Sequence, residues 1–292
     1  MGWGKWGRSA DGILGINARN LDYIYRKNPR SRFSLVDDKL RTKEVLEQAG
    51  IPAPGVVASV TDRRAIRGTI EQLAERESFV VKPARGFGGS GIKVFRSLPS
   101  DPASRAEDLS FQMAMILSGM YSFDSLRDHV LVEEYVKEHP VLTGIHGGAG
   151  VSDTRVIVCD GEPAMAMLRL PCLASKPTAN LHRGGIGVGV DLDTGVTSHA
   201  VQNGRPLTEH PDTGVPLGGI QLPCWAELLS IACKLNGVFS MGYVGGDIVL
   251  DADKGPLLLE ANARPGLAIQ LANRTGLARV LESLESRVGG QP

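Results

Sequence analysis

The chain has 292 residues, enough for about two units of ~150 residues or one elaborate domain, and 42% of it is apolar, so it can bury a substantial core. Lysine plus arginine number 32 and aspartate plus glutamate 32; no global field favours nucleic acid or an anionic membrane, and neither is expected as a global partner. No stretch approaches the ~18 apolar residues of a membrane span, and the N-terminus lacks the apolar centre of a signal peptide. Cys159, Cys172, Cys224 and Cys233 form no CxxC pair and have no zinc-ligand spacing, so a reduced, cytoplasmic protein is expected.

The first 36 residues carry Lys5, Arg8, Arg19, Arg26, Lys27, Arg30 and Arg32 against Asp11 and Asp22, an excess of five positive charges, with Trp3 and Trp6 at the start. This segment, 1–36, reads as a basic arm. It is either a solvated extension or a contact for an anionic partner, a membrane, a membrane protein or a second copy of the chain. Asp37-Asp38 then offers an N-cap, and Thr42, Val45, Leu46 and Ala49 share one face, predicting a helix over 39–49 that Gly50, Pro52 and Pro54 stop. Asp62 caps a second helix with Ile66, Ile70, Leu73 and Ala74 on one side. Residues 79–82 and 92–95 read as the two strands of a hairpin whose connection holds Gly86, Gly88, Gly89 and Gly91.

Leu109, Met113, Ile116 and Leu117 mark another amphipathic helix, 130–136 a strand and 144–150 a glycine-rich loop. Asp160-Gly161 turns one hairpin and residues 193–195 a second. Trp225, Leu228, Leu229 and Ala232 make a buried helix face, strands at 243–250 and 257–261 flank Asp253-Lys254-Gly255, and 267–287 is expected to be helical. Hairpins interleaved with helices, without strict βαβ alternation, argue an α+β fold with antiparallel sheets.

Four sets of residues carry chemistry. Glycine is abundant, at 36 residues, and the run Gly86 to Gly91, which includes Gly88, Gly89 and Ser90, can let backbone N–H groups approach an anion, or can be a plain turn. Lys82 ends an apolar strand beside that run and needs an anion, for which nucleotide phosphate is fitting; Lys39 adds a second cation or is a solvated lysine. Asp247 on one strand and Glu260 with Asn262 on the next offer three oxygens suited to magnesium, the alternative being solvated edge-strand acids. Asn180 to Gly185, with Arg155, Arg169, Arg183 and Arg264, supplies guanidinium groups able to hold a carboxylate or a transferring phosphoryl group, and His182 is a proton shuttle or a structural histidine.

Asp38-Lys39-Leu40-Arg41-Thr42-Lys43 with Gly50-Ile51-Pro52, Val80 to Pro83, the glycine run, Glu133-Glu134-Tyr135-Val136, Asn180 to Gly185, and Asp247 with Glu260-Ala261-Asn262 follow in one order. Together they resemble an ATP-grasp ligase, and specifically the alpha-L-glutamate ligase-related proteins, similar to the ribosomal-protein glutamate ligases, through the run Leu14 to Asn20. The resemblance implies an ATP-grasp fold of two α+β subdomains clamping MgATP, over 37–292, with a nucleotide-binding lid subdomain in 37–136 and a metal-binding one in 137–292. It implies that Lys39 and Lys82 contact phosphates, that Glu133, Glu134, Tyr135 and Val136 recognise adenine, and that Asn180 lies near the phosphates. Asp247, Glu260 and Asn262 would bind Mg2+, with Mn2+ able to substitute, and Arg264 would stabilise the phosphoryl group, alongside Arg169 and Arg183 from the guanidinium set above. The implied activity is ATP-dependent joining of a carboxylate to an amine through an acyl phosphate, with glutamate or a similar amino acid and a peptide or small-molecule acceptor. An acceptor that is an envelope or sugar-containing precursor, or an inactive nucleotide-binding module, are the alternatives. Such ligases carry a substrate domain of roughly a hundred residues before the Asp-Lys motif; with 37 residues there, it is expected to be reduced to the arm. The segment 137–152 reads as a lid, an acceptor loop or a mobile connection.

Overall fold

The structure is a computed structural model describing residues 12–86, 88–96, 101–122, 127–175 and 178–288. The chain divides into two compact units: one takes the chain up to Val36, Val45–Pro52 and Lys137 onward, the other Asp37–Glu44 and Ala53–Val136.

In the smaller unit, strands β1 (Val56–Val60), β2 (Phe79–Pro83), β3 (Lys93–Phe95) and β4 (Val130–Glu134) form an antiparallel sheet in the order β1-β4-β2-β3. Strand alternation sorts its residues between two faces. Phe79, Val81, Val130 and Val132 make a core with Ile66 and Leu73 of the helix Ile66–Leu73 and with Leu109, Met113 and Ile116 of the helix Pro102–Leu117. Asp62 accepts from Arg64 N at 2.7 Å and caps the short turn Arg63–Ala65 that leads into the first helix, and Asp101 caps the second by accepting from Ala103 N at 3.0 Å, with Pro102 where a missing N–H costs nothing. The opposite face of the sheet carries Val80, Lys82, Leu131 and Glu133.

In the larger unit, β5 (Asp153–Cys159), β6 (Glu162–Leu170), β7 (Ile186–Val190), β8 (Thr197–Gln202), β9 (Arg205–Leu207), β10 (Tyr243–Asp251) and β11 (Gly255–Asn262) run antiparallel in the order β11-β10-β5-β6-β7-β8-β9. The β5–β6 hairpin turns at Asp160 and Gly161 with φ of 49° and 89°, the left-handed pair whose twist matches that of the strands. The helix Trp225–Phe239 packs on one face, close enough that a Cβ on Gly246 would stand 2.7 Å from Leu235 Cδ1. On the other face Ile157, Cys159, Met165, Met167 and Tyr243 are covered by Leu277, Ala278 and Leu281 of the helix Leu277–Val288 and by Ile269 and Ala272 of the helix Ile269–Asn273. Farther along this second face the side chains become charged.

Three expectations need correction. The arm reading holds neither for residues 14–24 nor for all of its cations. Leu14, Ala18, Tyr23 and Ile24 are buried in the core of the larger unit, Arg19 is buried with Nη1 donating to Pro265 O at 2.8 Å, and Lys27 is ion-paired with Asp160 and Glu285. Counting charge hid a small set of apolar residues large enough to anchor the segment; Trp3, Trp6, Lys5 and Arg8 lie outside the described residues. Residues 140–146 are a helix, Pro140–His146, and Glu138 fastens the segment by accepting from His146 Nε2 at 2.7 Å and Ser152 N at 2.6 Å, which leaves no free loop over its whole length. The C-terminal helical stretch breaks at Arg274, whose φ is 48°, into the two helices named above. Among the described residues no helix is long and apolar enough to cross a membrane.

Candidate functional site

The smaller unit assembles its charged groups from one helix, two strands and one loop. The helix Lys39–Gln48 begins at Asp38, whose Oδ1 accepts from Leu40 N at 3.1 Å. Lys39 is tied to the start of the glycine run and to the residue two before it: its Nζ donates to Gly86 O at 2.7 Å and its N–H to Ala84 O at 2.9 Å. Gly88, Gly89 and Gly91 take φ of 61°, 77° and 74°, and a Cβ on Gly91 would stand 2.5 Å from the Tyr121 ring, so this backbone course requires glycine. Ser90 lies half-buried among them.

Lys82 and Glu133 are diagonal neighbours across β2 and β4, a spacing long side chains can bridge. Lys82 Nζ stands 2.5 Å from Glu133 Oε2 and Lys43 Nζ 2.9 Å from Glu133 Oε1, all three side chains being buried. Burial pushes the Glu133 carboxyl up, but the charges of Lys82 and Lys43 outweigh it and hold the group below the usual carboxylate range. The anion that Lys82 needs is thus in part Glu133, a residue that the family resemblance assigns to adenine. Glu134 accepts from Gly55 N at 3.2 Å, Arg96 lies over the Tyr135 ring at 5.1 Å, and Val136 is buried.

In the larger unit the charged end of the sheet face follows directly from register. Asp247 on β10 is opposite Arg155 on β5 and Glu260 on β11, while Asp153 on β5 is opposite Arg169 on β6. Arg155 binds Asp247 through two bonds, Nε to Oδ1 and Nη2 to Oδ2, both 2.7 Å. Arg169 reaches Asp247 Oδ2 at 2.7 Å and Asp153 Oδ1 at 2.5 Å. Burial raises the Asp247 carboxyl, yet Arg155 and Arg169 bring it below its ordinary value. For Asp153 the balance is reversed: burial raises it, the attraction of Arg169 only partly offsets this, and the charge of Asp247 adds to the rise. Arg169 is held more firmly protonated because Asp153 and Asp247 overcome the effect of burial.

Magnesium prefers six oxygens and keeps several waters. Glu260 and Asn262, two residues apart on β11, place two oxygen-bearing side chains on one face and fit such an ion. Asn262 donates Nδ2 to Asp247 Oδ2 at 3.2 Å, so Oδ1 is the atom a cation would take. Asp247 differs from them, since both of its oxygens accept guanidinium N–H groups; ligation by Asp247 requires release of at least one of these contacts. Among the described residues no three His, Cys, Asp or Glu side chains are grouped to hold a metal.

Asn180, Arg183 and Arg264 lie outside the strands. Asn180 Oδ1 accepts from His182 N at 2.9 Å and caps the turn Leu181–Arg183, in which His182 and Arg183 are exposed. Arg264 is exposed and lies over the Phe33 ring at 4.4 Å. Sequence reasoning missed the parts played by Lys43 and Asp153. Lys43 could have been found from its position four residues after Lys39, on the same side of a helix; Asp153 could have been found from its place two residues before Arg155, on the same strand face.

The family described as sugar-transfer associated ATP-grasp matches residues 18–286. The chain is similar to a "Probable alpha-L-glutamate ligase" of Serratia proteamaculans (strain 568), 26% identical over 273 residues, covering 92% of this chain and 69% of that one. A protein of the same name from Pectobacterium carotovorum subsp. carotovorum (strain PC1) is 26% identical over 232 residues, covering 79% of this chain and 56% of the relative. Among solved structures, D-cycloserine synthetase matches with a TM-score of 0.52 at 17% identity, over 89% of this chain and 72% of that one, a likeness of fold.

Proposed function

Because the chain belongs to the sugar-transfer associated ATP-grasp family, we propose that it is an ATP- and magnesium-dependent carboxylate-amine ligase that adds glutamate or a similar amino acid to a peptide or small-molecule acceptor through an acyl phosphate. One observation carries the reading: Lys39 and Lys82, far apart in sequence, belong to the same small unit as a glycine run in left-handed conformation, and Lys39 bonds that run directly. Such a set suits nucleotide phosphate, with the amides of Gly88, Gly89 and Ser90 as further donors. Glu134, Tyr135 and Val136 are assigned to adenine, and Asn180 to the phosphates. Glu260 and Asn262, with Asp247 once it leaves a guanidinium, are assigned to Mg2+ or Mn2+, which supplies charge neutralisation on phosphate oxygens. Arg169, Arg183 and Arg264 are assigned to the charge that develops on the transferring group. The residues act by orientation and electrostatics, and no serine or cysteine nucleophile is needed. The four cysteines are free, which suits a cytoplasmic location.

A second reading is favoured by the family's association with sugar transfer, namely a sugar-containing or envelope precursor as acceptor. Both readings are tested by ADP release from MgATP in the presence of amino acids, peptides and sugar-bearing amines or carboxylates, with mass spectrometry of the product. A product joined through a new amide supports the ligase and identifies its acceptor class. Nucleotide binding with no ADP release in any combination would favour the inactive module.

A further inference from the structure

Within the smaller unit, two ammonium groups share a single carboxylate out of contact with bulk water. The side chains of Lys43, Lys82 and Glu133 are 8%, 5% and 3% exposed, so one positive charge is left over where solvent cannot compensate it. The remaining bond of Lys43, from Nζ to Pro54 O at 2.7 Å, goes to a neutral acceptor. The charged groups that face Lys43 are Glu133 from β4, Lys82 from β2 and, more weakly, Glu134, a half-buried residue engaged with Gly55. A buried cluster of this charge is completed by an anion.

We infer that Lys43 is a positioning residue for nucleotide phosphate: by taking one oxygen of Glu133 it keeps that carboxylate from neutralising Lys82 alone, and the phosphate supplies the missing negative charge. The inference rests on the MgATP reading. Burial pushes the Lys43 ammonium down to about 8, with Lys82 adding to the fall and Glu133 only partly resisting it. Near pH 8 the cluster without nucleotide therefore holds its second lysine proton about half the time, and an arriving phosphate favours the protonated form. Nucleotide binding is then coupled to proton uptake: the affinity is at its full value below pH 8 and falls as pH rises through that value.

The experiment is isothermal titration of the full chain with MgATP at pH 8 in two buffers of different ionisation enthalpy, repeated at pH 6.5 and 9.5. The unaltered chain is expected to take up about half a proton per nucleotide at pH 8 and almost none at pH 6.5, with affinity falling by up to tenfold per pH unit above pH 8. Lys43→Arg keeps a charge that does not titrate in this range, so uptake and the fall in affinity at high pH should both vanish. Lys43→Met should weaken binding at least tenfold at pH 7; a denaturation midpoint for each variant shows that it is folded. A purely structural lysine would change stability and leave the proton count alone. MgATP binding without uptake at pH 8, or uptake that persists in Lys43→Arg, overturns the role of Lys43 and leaves the nucleotide reading intact. Absence of MgATP binding by the unaltered chain at every pH overturns both.

Discussion

The two units each bury a charged cluster, and the clusters differ in balance. In the smaller unit Lys43 and Lys82 share one carboxylate, Glu133, whereas in the larger Arg155 and Arg169 share two, Asp153 and Asp247. The second cluster is neutral and uses planar forks that hold carboxylates at fixed angles; the first has a surplus charge on flexible ammonium groups. The contrast teaches that burial and pairing alone do not identify a ligand site. A balanced set satisfies itself and positions a neighbour, here Asn262, while an unbalanced set calls for a partner from outside.

The largest effect is expected from unbalancing the neutral cluster. Arg169→Met leaves Asp153 and Asp247 with Arg155 alone, and stability should fall by about 3–5 kcal/mol, the usual scale for orphaning a buried charge. Chemical denaturation measures this, and a loss below about 1 kcal/mol would mean that the network is not what holds this end of the sheet. Next in size is Glu260→Gln, which removes a charge from a half-buried side chain and should leave the denaturation midpoint nearly unchanged while lowering turnover more than tenfold, where each tenfold corresponds to ~1.4 kcal/mol. Turnover within a factor of about two of the parent rules out Glu260 as a metal position.

The smallest effect sharpens the comparison by pH. Lys43 titrates near about 8 in the folded chain against 10.5 as its ordinary value, so between those values the unfolded chain binds more protons and stability rises with pH. Nucleotide-free protein should therefore gain denaturant resistance from pH 7.5 to 9.5 relative to Lys43→Arg, which lacks this titration. Equal changes in the two proteins would show that Lys43 is not held below its ordinary value.

Much of this architecture was legible in local sequence signals. Asp62 before Ile66, Ile70 and Leu73, and Asp160-Gly161 between two apolar runs, specify their elements through capping and turn geometry that act within a few residues. The antiparallel α+β class and the β2–β3 hairpin around the glycine run followed from the same kind of signal. The sequence pattern did not disclose β1, whose residues Val56–Val60 follow a proline-rich stretch and whose pairing partners on β4 lie seventy or more residues away. Nor did it disclose the burial of Tyr23 and Ile24, which depends on helices at the far end of the chain. In the candidate site the residue types were legible but their pairings were not. Arg155 and Arg169 could be recognised as groups able to grip a carboxylate; that this carboxylate is Asp247 depends on the register of three strands, which sequence spacing does not determine. Glu133 was drawn toward adenine by its place in a motif, whereas strand alternation turns its side chain to the same face as Lys82.

The central proposal, that this chain binds MgATP, is tested most directly by thermal protection. MgATP at about a hundred times its Kd should stabilise the folded chain by about 2.7 kcal/mol and raise Tm, and EDTA added with the same ATP should remove that protection. No shift with MgATP while another nucleotide gives one, or an equal shift with EDTA present, would contradict it.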